Sequence, residues 1–237
     1  MVLDHQFWAP QLRRFPREAR VLIEVIQNRV LPAFEGIEDE AEQVADSVYE
    51  ELGQLPADEY AYIDMSDLAE IAHDKGLERY EELAGAKQAL LNVAAVALYH
   101  LFEQQLLFFY RRQVLHPSEE YDRSRFKHLS VVEARLRGDG IDLHSFGSWP
   151  RIDELRHVAN TIKHAEGNAA DSLRTLRPDL FVVPILRNDP RWAVRGGSRV
   201  DLPLAGDDIY ITGEDLCIYQ RALEEFWNEF ADAIEHG

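Results

Sequence analysis

The sequence has almost no cysteine: its 237 residues contain only Cys217. A single thiol excludes an intramolecular disulfide and a zinc cluster built from several cysteines. Cysteine usage of this kind is typical of a reducing compartment, so we expect a cytoplasmic protein.

Long apolar runs are also missing. The most apolar stretch, 89–110, is interrupted by polar and charged side chains whose burial in lipid would be costly: Asn92, His100, Glu103, Gln104 and Gln105. This stretch therefore predicts a core helix and no membrane span. The first residues, MVLDHQFWAPQLRRF, carry an acid and a histidine where a signal peptide has its apolar segment, so we expect no signal peptide.

Positive charge is scarce. The chain has 25 Lys and Arg against 43 Asp and Glu, which gives a formal net charge of −18. Such a field repels nucleic acid at long range and favours solubility. The basic residues cluster, however, in 111–112, 123–137 and 174–199. A local basic patch outweighs the net charge within a Debye length of about 10 Å, so local contact with nucleic acid remains compatible with the sequence.

Several common functional motifs are absent, namely the phosphate loop, the nucleophile elbow and the His-Glu-x-x-His zinc signature. The segment 195–199, RGGSR, lacks the preceding strand and following helix of a phosphate loop, and its composition predicts a flexible basic loop. The tryptophans Trp149, Trp192 and Trp227 are expected to anchor the core or loops and not to stack on bases.

Apolar periodicity predicts helices along most of the chain. In the first half we expect a helix over 17–33 that Pro32 ends, an acidic helix over 37–53 and a loop over 54–64. Ser66 is expected to cap a short helix that ends at Lys75 because Gly76 breaks it. The longest helix is expected over 77–116, with its apolar part at the centre of the molecule.

In the second half, helices are expected at about 126–136, 150–165 and 170–177, and a last one from Gly213 to about Glu235. Ser148 is the expected N-cap of the helix at 150–165. Two segments, 181–183 and 208–212, have the β-branched and aromatic content of short strands. The predicted fold is therefore an all-α helical bundle with a long central helix and a small loop or β-hairpin insertion before the C-terminal helix.

We divide the chain into an N-terminal helical region over 1–64, a helical core over 65–180, and a loop, hairpin and C-terminal helix over 181–237. The three parts are expected to form one domain, because 237 residues fit a single core.

The helix at 150–165 carries an unusual set of side chains. Its core stripe is Ile152, Leu155, Val158, Ala159 and Ile162. On the other side, the spacing of four, three and four residues places one polar strip, with Arg156 at its edge: Asp153, His157, Asn160 and His164. Imidazoles beside a guanidinium and a carboxylate can bind a ribose phosphate and move protons. A solvated helix face and a dimer contact are the two alternatives for this strip.

The segment 155–167, LRHVANTIKHAEG, resembles the signature of HEPN domains (higher eukaryotes and prokaryotes nucleotide-binding). That signature is an arginine, a polar residue, four to six further residues and a histidine. Arg156, His157 and His164 match it, with six residues between the two histidines. The long helix with YHLFEQQLLFFYRR resembles a core helix of such bundles, which extends the resemblance loosely over 65–180.

The resemblance implies a helical protein that forms a homodimer and acts in a prokaryotic defence or toxin system as an RNase, or as a degenerate relative of one. It implies no metal and no cofactor. Arg156 would stabilise charge on the phosphate, and His164 would act as general base on a ribose 2′-hydroxyl or as general acid to the leaving oxygen. His157, Asn160 and Asp153 would support them.

Two further constellations suggest functional hypotheses. The pairs Glu70/His73 and Glu154/His157, together with Glu24 and Glu103, follow the ligand order of di-iron carboxylate bundles and so suggest a di-metal site. His100 and Glu103, with Gln104 beside them, form a polar layer that either is satisfied within the bundle or orients His157 or His164.

The sequence therefore supports two functions of different classes. The first is the HEPN-like RNase with RNA as its substrate. The second is a non-catalytic acidic module that binds a partner protein and uses the polar strip as a contact.

Overall fold

The computed structural model describes residues 5–54, 65–116, 118–119, 121–125, 128–189 and 199–236. Within these residues there are eight α-helices and no strand. The helices are α1 (His5–Leu12), α2 (Pro16–Val25), α3 (Ile37–Gly53), α4 (Met65–Gln113), α5 (Leu129–Gly138), α6 (Trp149–His164), α7 (Asn168–Leu176) and α8 (Gly213–His236). The predicted all-α bundle is confirmed.

The second half of α4 is the centre of the molecule, as its apolar sequence predicts. Helices α6 and α8 pack directly on it, and α1 and α2 pack on α8. Rings from α4 and α8 meet edge to face at the middle of this core, where the centroids of Phe102 and Phe226 lie 4.9 Å apart. Trp149 and Trp227 are both buried, so these two tryptophans are core anchors as predicted, whereas Trp192 lies outside the described residues.

The first half of α4 leaves this core and pairs with α3. The predicted break at Gly76 is wrong, because α4 runs without interruption from Met65 to Gln113. Gly76 instead lies where the two helices cross: a Cβ at this position would stand 2.8 Å from the carbonyl oxygen of Ala41. We call 37–53 and 65–85 the acidic arm, since these residues include thirteen acids and only two basic residues.

The predicted hairpin is also wrong. Residues 181–183 and 208–212 share no ladder. The Tyr210 amide donates to the carbonyl oxygen of Leu180, just before the first segment, at 2.8 Å. The carbonyl groups that a strand ladder would need accept hydrogen bonds from side chains of α4 instead. The amide of Asn92 in α4 donates to the carbonyl of Ile209 at 2.9 Å, and Gln88 donates to that of Ile211 at 2.9 Å. The segment is thus held on α4 without a partner strand among the described residues.

Three helix boundaries differ from those that the apolar periodicity predicted. The helix predicted over 17–33 ends as α2 at Val25 and continues as a π-helical turn, Ile26–Val30, and a 3-10 turn, Leu31–Phe34. Pro32 lies in this last turn, where its missing N–H cannot complete an α-helical bond. Helix α5 starts at Leu129 and not at 126, and no periodic pattern had indicated α1. The loops predicted at 54–64 and 195–199 fall almost wholly outside the described residues.

The described helices include none with the length and apolar character needed to cross a membrane. The main hydrophobic cluster draws residues from 1–64, 65–180 and 181–237 alike, including Leu12, Leu98 and Phe230.

Candidate functional site

Helix α6 is fixed in the bundle by the stripe that its sequence predicts. Ile152, Leu155, Val158, Ala159 and Ile162 are all buried, with exposures of 1% or less. The side chains on the remaining face are therefore presented from a rigid element, which a precise binding site requires.

The start of α6 is held by α8. Ser148 precedes the helix as predicted, but its hydroxyl does not cap it and donates instead to the carboxylate of Glu229. The same carboxylate accepts the backbone N–H groups of Gly147 at 2.8 Å and Ser148 at 3.2 Å. Glu229 thus satisfies amides that a helix start leaves without partners.

Asp153, Arg156 and His157 form one connected cluster on α6. The Nε and Nη2 of Arg156 donate to Oδ1 of Asp153 at 2.9 and 2.6 Å. The Nε2 of His157 lies 3.3 Å from Nη2 of Arg156 and 3.6 Å from Oδ2 of Asp153. Among the described residues, Nη1 of Arg156 has no hydrogen-bond partner, so the guanidinium keeps a donor for a ligand.

His157 is more enclosed than Asp153, with 13% of its side chain exposed against 35%. Burial lowers its pKa, and the neighbouring Arg156 cation lowers it further, while Asp153 opposes the shift. Burial and the Arg156 cation therefore favour the neutral form of this imidazole. Its Nδ1 is buried and has no partner among the described residues. This ring supports Arg156 and Asp153 and is poorly placed to exchange protons with solvent.

The polar strip does not face one cleft. It divides into two, and Arg156 and Asn160 form the ridge between them because they line both. His157 and His164 lie in the first cleft, which we call the α6–α7 cleft. Asp153 lies in the second, the α4–α6 cleft. The periodicity correctly placed these residues on one side of α6, but the neighbouring helices separate them.

The α6–α7 cleft is bounded by the turn that follows His164. Ala165 has a φ of +59°, a conformation that non-glycine residues rarely adopt. Glu166 then accepts two hydrogen bonds from Arg174, at 2.8 and 2.6 Å, and one from the Val200 amide at 2.9 Å. These bonds lower the pKa of Glu166 to about 2. Arg174 thus fixes the turn that holds His164 at the mouth of the cleft.

The α4–α6 cleft holds about 460 Å³ and is lined by more ionisable groups. Two histidine–glutamate pairs stand on its walls. Nδ1 of His100 lies 3.2 Å from Oε2 of Glu103, and Nε2 of His144 lies 3.4 Å from Oε2 of Glu133. The predicted polar layer at His100 and Glu103 is therefore satisfied internally. His100 and Glu103 line the α4–α6 cleft together with Arg156. Neither of them lines the α6–α7 cleft, where His157 and His164 lie.

A tyrosine, Tyr99, also lines the α4–α6 cleft. Tyr99 is buried, and burial is the main cause of its raised pKa. Glu103, Glu133 and Asp153 raise that pKa further, whereas Arg156 lowers it. These charged residues belong to α4, α5 and α6 and line the same cleft as Tyr99, so the three helices contribute to one polar site.

Sequence reasoning missed several lining residues of this cleft, among them the ionisable side chains of Lys163, Glu133, His128, His144 and Tyr99. Lys163 was available from helical spacing, because it lies three residues after Asn160. The pairing of Glu133 with His144 spans eleven residues and a loop, which no periodic pattern reports.

The geometry of Glu154 is inconsistent with the di-metal site that the sequence suggested. Glu154 is buried and accepts hydrogen bonds from Nη1 of Arg177 at 2.7 Å and from the Tyr219 hydroxyl at 2.8 Å. Arg151 contacts its second oxygen. Glu154 is therefore a structural anion. Among the described residues, no group of three or more acid, histidine or cysteine side chains is arranged to hold a metal ion.

No protein-family model, no curated protein and no solved structure matches the chain.

Proposed function

We propose that the protein is a HEPN-like, metal-independent RNase of a prokaryotic defence or toxin system, with its site on the polar face of α6. The observation that carries this proposal is the shared cleft of the motif residues. Arg156, His157, Asn160 and His164 line one open cleft of about 370 Å³, next to the helix end at which His164 lies exposed. A cleft of this size accommodates a nucleotide.

The roles follow from the burial of each group. Arg156 is oriented by Asp153 and can present Nη1 to a phosphate oxygen, whose developing negative charge it stabilises. His164 is exposed and able to exchange protons with substrate and solvent. Asn160 lies one turn from each, so that an amide donor stands between the cation and the imidazole.

A homodimer would extend this site. The cleft is open on the face of α6 that is turned away from the core, so that a second copy can cover it and exclude water. The oligomeric state is measured by size-exclusion chromatography with light scattering, and a mass near twice 27.3 kDa is expected.

The test is cleavage of a mixed RNA pool by purified protein in EDTA, with the parent beside His164→Ala. We expect cleavage by the parent only, and unchanged helical circular dichroism and thermal melting in the variant. His116→Ala is the matched control, because His116 is an exposed histidine outside both clefts. Equal cleavage by the parent and His164→Ala, or none by either, would remove the proposal.

A second function, binding of a partner protein, is favoured by the acidic arm. A groove runs along it between α3 and α4, with small residues at its base and exposed Leu77 and Tyr80 on its wall. The lining positions are spaced i, i+3, i+4, i+7 on both helices: Glu38, Ala41, Glu42, Ala45, His73, Gly76, Leu77 and Tyr80. This is the geometry that accepts a third helix. The net charge of the arm selects a basic amphipathic helix as the occupant.

This second function is tested with a synthetic amphipathic Leu/Lys helix and a scrambled peptide of the same composition. The ordered peptide is expected to bind at least about tenfold more tightly, and Leu77→Ala should weaken it, because apolar contact and not charge alone gives specificity. Leu90→Ala, an exposed leucine outside the arm, is the control. Equal affinity for both peptides would contradict a groove-specific partner.

A further inference from the structure

Cleavage of RNA by its own 2′-hydroxyl requires two proton transfers on opposite sides of the phosphorus. The attacking 2′-oxygen and the leaving 5′-oxygen are in line, so the base and the acid must approach the phosphate from opposite directions. The proposed function supplies one such group, His164. A second group should stand across the phosphate from it.

The ridge that Arg156 and Asn160 form on α6 separates two directions from which a base and an acid can approach a phosphate. A phosphate above Asn160 lies within one helical turn of Arg156 on one side and of Lys163 and His164 on the other. Lys163 opens to the α4–α6 cleft and His164 to the α6–α7 cleft. A phosphodiester on this ridge therefore has an ionisable cleft on each side.

His144 lines the α4–α6 cleft with 49% of its side chain exposed, and its ring is contacted from two helices, α5 and α6. Glu133, which contacts Nε2 of His144, has only 18% of its side chain exposed. The orientation of the His144 ring is set by Trp149, whose ring centroid lies 4.8 Å from that of His144. A carboxylate on one ring nitrogen fixes the tautomer and stabilises the imidazolium that takes part in proton transfer. The pair His100–Glu103 is about one-third exposed at both members and has only a single helix to orient it.

We propose that His144, positioned by Glu133, is the general acid that completes the site, with His164 as the general base. This inference rests on the proposed function. His164 removes the proton of the 2′-hydroxyl, the 2′-oxygen forms a bond to phosphorus, and the bond from phosphorus to the 5′-oxygen breaks. His144 gives its proton to that 5′-oxygen. The products are a 2′,3′-cyclic phosphate and a 5′-hydroxyl, and no electrons are gained or lost.

The test uses the full-length protein and two substrates, an ordinary RNA and the same RNA with sulfur in place of the bridging 5′-oxygen. A thiolate leaves without a proton, so it needs no general acid. We expect His144→Gln to lose about 100-fold in kcat on the ordinary RNA and to cleave the sulfur substrate at close to the parent rate. His164→Ala should lose activity on both substrates.

The positioning role of Glu133 has its own readout. Glu133→Gln should lower kcat on the ordinary RNA with little change in KM, Glu133→Asp should restore part of it, and the sulfur substrate should again be insensitive. His116→Gln is the control, and circular dichroism and melting check the fold of each variant.

The outcomes separate the two claims. An active parent with an equally active His144→Gln, or a variant impaired on both substrates, overturns the role of His144 and leaves the RNase intact. A parent that cleaves neither substrate removes the proposed function, and the general acid with it.

Discussion

Ala165 and Glu166 form the turn that ends α6 beside His164, and both carry testable constraints. Ala165 has a φ of +59°, which costs a non-glycine residue about 1–3 kcal/mol. Relief of this strain stabilises Ala165→Gly, and the greater flexibility of glycine in the unfolded chain offsets part of that gain. We therefore expect the free energy of unfolding to rise by about 1 kcal/mol. Urea denaturation measures this. Ala170→Gly, buried within α7, should be destabilising, and a loss of stability in Ala165→Gly would contradict the assigned strain.

The carboxylate of Glu166 predicts a pH dependence of stability. Its pKa falls from 4.5 to about 2 because Arg174 and the Val200 amide bind the ionised form. The folded state thus holds this proton more weakly than the unfolded state, so the contribution is complete above pH 4.5 and disappears as the pH falls towards 2. Melting temperatures of the parent and Glu166→Gln should differ at pH 6 and converge near pH 2. A difference that stays constant over this range would be inconsistent with the shift.

At the scale of elements, Arg177 joins α6 to α8. It donates to Glu154 at 2.7 Å and to Asp215 at 2.7 Å, and both carboxylates are buried. Arg177→Ala removes the cation that these two buried carboxylates share and leaves Glu154 with only the half-exposed Arg151, so we expect a loss of about 3–5 kcal/mol in urea unfolding. The exposed pair Arg20–Glu224 is the comparison, and Arg20→Ala should cost under about 1 kcal/mol. Similar losses in the two variants would refute the structural role of the Arg177 network.

The segment before α8 crosses α4 at two glycines. Gly206 has a φ of +98°, and a Cβ there would stand 2.2 Å from the carbonyl oxygen of Gly85. Gly206→Ala should therefore destabilise the protein by about 2 kcal/mol or more, through both backbone strain and overlap. Gly138→Ala is the matched control, because a Cβ added there would meet no atom within 4 Å and its φ is ordinary. Equal stability of the two variants would argue against this close crossing.

Sequence periodicity predicted the elements that bury one clear apolar stripe, such as α6 and α8. It was wrong where a single residue has a tertiary role. Glycine often breaks a helix, but Gly76 lies inside α4, at the point where α3 crosses and leaves no room for a Cβ. The predicted strand at 208–212 has strand-like side chains, but Asn92 and Gln88 take its carbonyl groups. Likewise, the spacing on α6 predicted the correct polar face, and only the neighbouring helices show that it serves two clefts.

For the whole molecule, the uneven charge predicts how an RNA substrate responds to salt. The net charge is −18, and the acidic arm supplies a large share of it. Raising salt from about 10 to 100 mM shortens the Debye length from about 30 to 10 Å and screens the long-range repulsion. We expect kcat/KM for RNA to rise over this range and to fall at higher salt, where the contacts of Arg156 and Lys163 weaken. A decrease from the lowest salt onward would disagree with this distribution of charge.

The most direct test of the central claim, that the α6 face cleaves RNA without a metal, is the chemistry of the ends produced in EDTA. The account predicts 2′,3′-cyclic phosphate and 5′-hydroxyl ends from the parent, and none from His164→Ala. Ends that carry a 5′-phosphate, or the same products from His164→Ala, would contradict it.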